Sequence, residues 1–304
     1  MYRLDEVRRG LRRGLETPAF FGRELNRLYH RRLYRAPYNR RGVDVFAEPW
    51  DNLLLLDACR YDDFADLSDL PGELEVRESR GSHTIEFLEG NVVGRELLET
   101  VYVTGSPQLH ASGFDGRFHA VENVWDGDGW DDDLGTVRPE TMAERALAAV
   151  ERYPDKRLFV HFVQPHYPFI EDGSLVSGTL KDEAIDVWER RFRGEIGIGA
   201  GTLRAAYRRN LRLVLAVVGP LLTALPGLTV VTADHGNMFG ERSFPVPIRE
   251  WGHPPGQYTD QLVRVPWHVY GDERRPVTAE APERTDDAPT VDPTDRLRQL
   301  GYLD

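Results

Sequence analysis

The feature that most constrains the fold is a set of short, continuously apolar segments that alternate with segments of helical character. The apolar segments are NLLLL (52–56), TVYVT (100–104), RLFVHFV (157–163) and the run 228–232. Strands that are apolar at every position are buried on both faces, and the intervening helices supply the covering layers. The sequence therefore predicts an α/β fold with a mostly parallel central sheet and helices on both faces. Ligands of such sheets bind at the carboxyl ends of the strands.

Further predicted elements are amphipathic helices at 141–152 and 202–218 and a late strand at 263–270. Residues 213–233 carry no charge over a length that could span a bilayer. Gly219-Pro220 and Pro226-Gly227 interrupt that stretch, so we predict a helix, a turn and a buried strand within a soluble core.

Charge is distributed unevenly along the chain. The formal net charge is −12, and residues 1–42 hold twelve Arg and four acidic residues, a net of +8 that leaves −20 for the remainder. Of the 38 basic residues, only Lys156 and Lys181 are lysines. An acidic, lysine-poor surface is typical of a halophilic protein, because high internal salt screens the self-repulsion.

The basic N-terminal segment, 1–42, has apolar residues at helical spacing among its arginines: Leu4, Val7, Leu11 and Leu15, then Leu25, Leu28 and Leu33. Such a stripe can pack on the acidic body or enter an anionic membrane surface. High salt weakens long-range attraction, so we prefer docking on the body and keep peripheral membrane contact as the alternative. The N-terminus lacks the apolar core of a secretory signal, so we expect a cytoplasmic protein, free or peripheral at the membrane.

Five polar clusters contain the residues that could perform chemistry. They are DACRYDD (57–63), SRGSHTIEFLEG (79–90), HFVQPHYPF (161–169), TADHG (232–236) and EWGHPPGQY (250–258). A single Asp after a strand is often a helix cap, and a lone loop histidine usually lies on the surface. Four of the clusters follow predicted strands, however, and the fold would bring them to one edge of the sheet. Aspartate and histidine ligands suit Zn²⁺ or Mn²⁺, and a nearby Ser or Thr oxygen could be a nucleophile activated by the metal.

A separate acidic run, VWDGDGWDDDLG, lies within residues 111–137. Its composition suggests a cation site, but its spacing does not match the EF-hand loop. We therefore expect an exposed acidic loop there.

The order of these motifs resembles the alkaline phosphatase superfamily, and most closely its sulfatase-like branch. The resemblance includes GSHT, PHYPF, TADHG, GHPPGQY and the LGY ending, and it covers roughly residues 45–304. It implies an alkaline-phosphatase-like catalytic domain at 43–271, followed by a polar tail with a short C-terminal helix at 272–304. The implied activity is metal-dependent hydrolysis or transfer of a phosphate or sulfate ester. The implied substrate is a small molecule or a glycan-linked or lipid-linked ester, and nucleic acid is not an expected partner.

The resemblance also implies roles for individual residues. Asp57, Asp234 and His235 match the ligands of the first metal. Thr84 matches the nucleophile, which contacts that metal and becomes transiently esterified. Ser82 is the alternative, and Thr84 is preferred because the IEF run after it better matches the family.

Three further side chains are assigned to the site. His253 matches a histidine that binds either a second metal or the anionic group, so one or two ions are expected. His166 matches a histidine that contacts the phosphate or sulfate, and Arg60 is assigned with it to substrate binding. The single cysteine, Cys59, excludes an intramolecular disulfide and lacks the Cys-x-Pro-x-Arg motif that generates formylglycine in sulfatases proper.

Two other functions stay open. One is a catalytically inactive sulfatase-like protein that binds an anionic glycan or a membrane surface. The other is a phosphotransferase or phosphoglycerate mutase-like enzyme, in which transfer to an acceptor alcohol outruns hydrolysis.

Overall fold

The computed structural model describes residues 17–32, 35, 37–172, 187–283 and 289–302. Its strands are β1 (Asn52–Leu56), β2 (Glu73–Glu78), β3 (Leu97–Thr104), β4 (Phe118–Asn123), β5 (Trp130–Asp131), β6 (Thr136–Val137), β7 (Arg157–Phe162), β8 (Thr229–Thr232), β9 (Met238–Arg242), β10 (Arg249–Gly252) and β11 (Arg264–Tyr270). Seven of them form one sheet in the order β2-β11-β8-β1-β7-β3-β4. The pairs β5-β6 and β9-β10 form two small antiparallel sheets.

The large sheet is parallel through most of its width. β1 lies at its centre and pairs in parallel with β7 on one side and β8 on the other. β3 continues the parallel arrangement with both β7 and β4, whereas β11 runs antiparallel to β8 and β2. The predicted α/β fold with a mostly parallel central sheet is therefore confirmed.

Helices cover both faces of this sheet. The described helices are α1 (Ala19–His30), α2 (Tyr61–Leu67), α3 (Thr84–Val92), α4 (Gln108–Ala111), α5 (Pro139–Arg152), α6 (Val187–Arg193), α7 (Ala200–Ala224), α8 (Asp260–Val263) and α9 (Pro293–Gln299). The central strand shows how the faces are divided, since alternate residues point to opposite sides. Leu54 and Leu56 pack with residues of α5 and α7, whereas Leu53 and Leu55 pack with residues of α3.

The helix predicted to end near residue 218 is longer than expected. α7 continues through Gly219 and Pro220 to Ala224. The prediction that this Gly-Pro pair interrupts the helix is wrong. Pro220 removes one backbone hydrogen bond near the end of the helix, and the burial of Leu221 and Leu222 favours continuation. Among the described helices, none combines the length and apolarity needed to cross a membrane.

Segments near both ends of the described chain contact the central domain. In α1, the Asn26 amide donates to Ser243 Oγ at 2.7 Å and the Arg23 guanidinium pairs with Glu250 at 2.7 Å. The four apolar residues predicted to form the first part of the N-terminal stripe lie outside the described residues. The described part of the polar tail crosses the domain, where Arg274 pairs with Asp51 at 2.8 Å.

We predict that Leu54→Ala lowers the free energy of unfolding by about 2–5 kcal/mol, because Leu54 is fully buried in the central strand and its removal leaves a cavity. The measurement is denaturant unfolding followed by circular dichroism. Val93→Ala is the control, since this side chain is 57% exposed and should change the stability by less than about 0.5 kcal/mol. Equal effects of the two substitutions would contradict this placement of β1.

Candidate active site

Two buried carboxylates lie at the carboxyl ends of β1 and β8, which are neighbours at the centre of the sheet. Asp57 follows β1 directly, and Asp234 follows β8 by two positions. Asp234 Oδ1 accepts hydrogen bonds from the N–H groups of Ala58 at 3.1 Å and His235 at 2.8 Å. Asp234 Oδ2 and Asp57 Oδ1 are buried and have no hydrogen-bond partner. This end of the sheet therefore concentrates negative charge that the backbone only partly compensates.

The imidazole of His235 lies between the two carboxylates. Its Nε2 is 3.2 Å from Asp234 Oδ2 and 3.6 Å from Asp57 Oδ1. Its Nδ1 donates to the Gly236 carbonyl at 2.8 Å, which directs Nε2 towards the acids. Burial disfavours the imidazolium, but the charges of Asp234 and Asp57 outweigh it and raise the pKa of His235 to about 9. For Asp234, burial is likewise outweighed by the charge of His235, and the pKa of its carboxyl falls below the usual range.

His161 joins this set and was not among the predicted site residues. Its Nε2 lies 3.4 Å from Asp57 Oδ2 and has no hydrogen-bond partner. Its Nδ1 is 2.9 Å from the Tyr102 hydroxyl. Ligand atoms from Asp57, His161 and Asp234 all lie within 4.8 Å of one another. These three residues therefore form a compact set of potential metal ligands.

The strand period of two is the signal that could have located His161. His161 in β7 is paired with Leu55 in β1. Asp57 comes two positions after Leu55, so its side chain points to the same face of the sheet as His161. A histidine in an apolar strand is therefore a candidate ligand when the neighbouring strand is followed by an aspartate. The sequence pattern HFVQPHYPF led us to consider only its second histidine, His166.

The donor set fits a divalent cation. Buried polar atoms without hydrogen bonds are unfavourable, and Asp57, Asp234 and His161 each have one such atom. The same three residues offer ligand atoms that lie within 4.8 Å of one another. Carboxylate oxygens and imidazole nitrogens are the ligands that Zn²⁺ and Mn²⁺ accept. His235 Nε2 is directed at the same carboxylates and could serve as a fourth donor after losing its proton.

Thr84 places a hydroxyl beside these groups. It is the first residue of α3 and is fully buried. Its Oγ1 is 3.3 Å from His235 Nε2. The preceding residue, His83, caps the helix by accepting a hydrogen bond from the Ile85 N–H at 3.2 Å. The partial positive charge of a helix N-terminus favours a negatively charged oxygen at this position.

Ser82, the alternative nucleophile, has its hydroxyl engaged in other contacts. Its Oγ donates to Glu86 Oε2 at 2.8 Å and accepts from the Gly256 and Gln257 N–H groups at 2.9 and 3.3 Å. These bonds connect the GSHT segment to the GHPPGQY loop. The choice between Ser82 and Thr84 stays a prediction, and these contacts favour Thr84.

His166, predicted to bind substrate, and His253, predicted to bind a second metal or the anionic group, contact each other. His166 Nε2 and His253 Nε2 are 2.8 Å apart. His166 Nδ1 donates to the Tyr167 carbonyl at 2.6 Å, so in its neutral form its Nε2 accepts from His253 Nε2–H. The remaining nitrogen, His253 Nδ1, is buried without a hydrogen-bond partner. Burial and the charge of His235 lower the pKa of His253.

His83 and Tyr302 are further site residues that the sequence analysis did not identify. The His83 ring lies 5.2 Å from that of His253, and burial, followed by the charge of His235, lowers the pKa of His83 to about 3. Tyr302 donates a hydrogen bond to Asp57 Oδ2. Burial and the charge of Asp57 raise the pKa of Tyr302, so its hydroxyl is a neutral donor.

Arg60 lies near this site but is bound to other protein groups. Its guanidinium pairs with Asp62 at 2.6 Å and donates to the Asn237 carbonyl at 3.0 Å. A further ion pair joins it to Glu241 at 2.5 Å. The assignment of Arg60 to substrate binding stays a prediction, and these contacts leave its guanidinium committed to neighbouring carboxylates.

No family model matches the chain, and no curated protein matches it. Several solved structures are similar. The soluble domain of lipooligosaccharide phosphoethanolamine transferase A from Neisseria meningitidis is 10% identical, with 72% of this chain and 75% of that chain covered and a TM-score of 0.45. The C-terminal periplasmic domain of EcEptC from Escherichia coli, in complex with Zn, is 13% identical, with 71% and 72% covered and a TM-score of 0.42.

A third similar structure is a protein of the alkaline phosphatase superfamily from Vibrio parahaemolyticus. It is 13% identical, with 79% of this chain and 65% of that chain covered and a TM-score of 0.44. This is the superfamily that the sequence motifs resemble. At this level of similarity, the roles of individual residues depend on the geometry of the site alone.

We predict that chelator-treated protein binds a divalent cation and that Asp234→Ala abolishes this binding, because the substitution removes a buried ligand oxygen. The measurement is competition for Zn²⁺ or Mn²⁺ with a chromophoric chelator. Asp128→Ala is the matched control, since this aspartate is 88% exposed in the acidic run and should not contribute.

His161→Ala should also weaken the binding, because it removes one of the three converging ligand atoms. Unchanged affinity in Asp234→Ala would contradict the site. Unchanged affinity in His161→Ala alone would restrict the ligands to Asp57, Asp234 and His235.

Proposed function

We propose that the protein is a metal-dependent enzyme that hydrolyses or transfers a phosphate or sulfate ester, with Thr84 as its nucleophile. The observation that carries this proposal is the position of Thr84 Oγ1, which lies 3.3 Å from His235 Nε2 beside two carboxylates with unpartnered oxygens. Asp57, Asp234, His235 and His161 would hold the cation. When bound, the cation would favour the ionised hydroxyl and withdraw charge from the ester oxygens.

The chain's own residues suit a two-step reaction. Thr84 Oγ attacks the phosphorus or sulfur, the bond to the leaving alcohol oxygen breaks, and that oxygen takes up a proton. Water or an acceptor alcohol then attacks the phosphorus or sulfur of the esterified Thr84, and the bond to Thr84 Oγ breaks. Oγ takes up the proton that the attacking oxygen releases, so hydrolysis and transfer share the first step. The hydrogen-bonded pair His166 and His253 faces the same site and could hold or move the proton.

The inactive-binder alternative is less well supported. A protein that only binds an anionic surface has no use for a buried hydroxyl at a helix N-terminus beside unpartnered carboxylate oxygens. These groups would be unfavourable without a partner. Their convergence favours a catalytic site, whether the acceptor is water or an alcohol.

We predict that Thr84→Ala lowers turnover by orders of magnitude, because covalent catalysis is lost. Turnover would be measured on a panel of phosphate and sulfate esters with Zn²⁺ and Mn²⁺ at high salt. Ser82→Ala is the matched control and should be milder, since its hydroxyl connects two loops. A covalent adduct on the peptide that contains Thr84, detected by mass spectrometry, would identify the nucleophile.

The reverse ranking of the two variants, or an adduct on Ser82, would transfer the nucleophile assignment to Ser82. Absence of turnover on every ester, together with absence of metal binding, would favour the inactive binder.

The exposed face of α1 suggests where the ester is presented. Phe21, Leu25 and Tyr29 recur at four-residue spacing and are 43%, 54% and 56% exposed. Phe244, which is 59% exposed, extends this surface, with its ring 5.5 Å from that of Tyr29. We call these four side chains the α1 stripe. A contiguous exposed apolar surface of this kind marks an interaction site.

Charge favours an anionic lipid surface as the partner of the α1 stripe. Residues 1–42 carry a net charge of +8, whereas the remainder carries −20, so an anionic surface would attract this end of the molecule. The segment that carries the stripe also contacts an element of the site, because Arg31 just after α1 pairs with Glu86 in the helix that Thr84 begins. We therefore propose a lipid-linked ester as substrate.

We predict that the double variant Leu25→Glu/Tyr29→Glu loses sedimentation with phosphatidylglycerol vesicles, because charge on the α1 stripe opposes insertion. Val93→Glu is the control, since it adds charge at an exposed apolar residue elsewhere. Turnover of a soluble ester should be unchanged in the double variant. Equal sedimentation of the double variant and the wild type would exclude the stripe as the lipid contact.

A further inference from the structure

The C-terminal residues form a helix-ending turn that directs Tyr302 inwards. Gly301 follows α9 with φ +77°, a conformation that glycine adopts readily. The Tyr302 N–H donates to the Leu297 carbonyl at 2.9 Å and the Gly301 N–H donates to the Arg298 carbonyl at 3.0 Å. This pair of bonds is the Schellman arrangement, which ends a helix and reverses the chain. The LGY ending thereby fixes the position of the tyrosine relative to α9.

Packing fixes α9 itself on the domain. Leu300 is fully buried within the core that covers one face of the sheet. The Arg296 guanidinium pairs with Asp132 at 3.1 Å and lies over the Trp130 ring at 4.4 Å. An apolar contact and a charged contact therefore fix the C-terminal turn on the domain. They also fix the direction in which the Tyr302 side chain points into the site.

In the site, the hydroxyl and the ring of Tyr302 make separate contacts, and the ring also lies 6.0 and 6.1 Å from those of His83 and His253. Its hydroxyl donates to Asp57 Oδ2, and its ring is stacked on that of His166 with centroids 4.7 Å apart and planes inclined by 18°. The other oxygen, Asp57 Oδ1, has no hydrogen-bond partner and faces His235 Nε2 at 3.6 Å. A carboxylate held through one oxygen loses rotational freedom, so its other oxygen stays directed at the centre of the site.

We infer that Tyr302 is a positioning residue, whose hydroxyl orients the Asp57 carboxylate for cation binding and whose ring holds the His166 imidazole. This role rests on the function proposed above, because it requires Asp57 to be a metal ligand. Outer hydrogen-bond partners of metal ligands set the orientation of those ligands and contribute to metal affinity. The turn that ends α9 thus becomes a functional part of the site.

The test is the affinity of the metal-free protein for Zn²⁺, measured by competition with a chromophoric chelator. Tyr302→Phe removes the hydroxyl and keeps the ring, and we expect the affinity to fall by about 10–100-fold. Tyr302→Leu removes the stacked ring as well and should bind no more tightly than Tyr302→Phe. Tyr153→Phe is the matched control, because the Tyr153 hydroxyl donates to Glu283 Oε2 at 2.5 Å on the surface. The Zn²⁺ affinity of this variant should equal that of the wild type.

Melting temperatures without metal verify that each variant is folded. Equal Zn²⁺ affinity of Tyr302→Phe and the wild type would overturn the role of the hydroxyl while leaving the proposed function intact. A loss confined to Tyr302→Leu would overturn it too, because the effect would then come from packing. A wild-type protein that binds neither Zn²⁺ nor, in the same competition assay, Mn²⁺ would instead refute the metal-dependent function, and the role of Tyr302 with it.

Discussion

The close approach of two buried carboxylates, Asp57 and Asp234, is the interaction on which the rest of the site depends. Like charges in a poorly solvated environment repel strongly, so they persist only with positive partners nearby. Backbone N–H groups and the imidazole of His235 supply part of this compensation. Asp57 Oδ1 and Asp234 Oδ2 have no hydrogen bond and lie 3.6 and 3.2 Å from His235 Nε2, and a divalent cation would supply the remainder.

The sheet makes this arrangement possible because its central strand is held on both sides and on both faces. β1 pairs in parallel with β7 and β8, so Asp57, His161 and Asp234 come from three adjacent strands. The loops are then fixed relative to this platform by polar contacts, among which the Ser82 hydroxyl joins the segment of Thr84 to the loop of His253. A hydroxyl that sequence comparison ranks as an alternative nucleophile thus fits a structural role.

Elements remote in sequence surround the site. The C-terminal turn brings Tyr302 to Asp57. At the other end of the described chain, Arg31, which follows α1, pairs with Glu86 in α3, the helix that Thr84 begins. α1 packs on the domain through Asn26 and Arg23, as the docking hypothesis expects for the N-terminal segment, while its opposite face exposes the α1 stripe. Docking on the body and contact with a membrane are therefore compatible for this helix.

The sequence by itself determined the α/β architecture, because continuous apolar strands require cover on both faces. It also showed that Asp57 and Asp234 follow such strands. Charged residues are unfavourable at the end of a buried strand, so their presence indicated a site. Tertiary structure alone decided the rest. It continued α7 past Pro220, where the burial of leucines outweighs one lost hydrogen bond. The tertiary structure also brought His161, His83 and Tyr302 into the site. Their positions depend on strand register, on side-chain rotamers and on contacts between segments far apart in sequence, and local sequence patterns do not encode these.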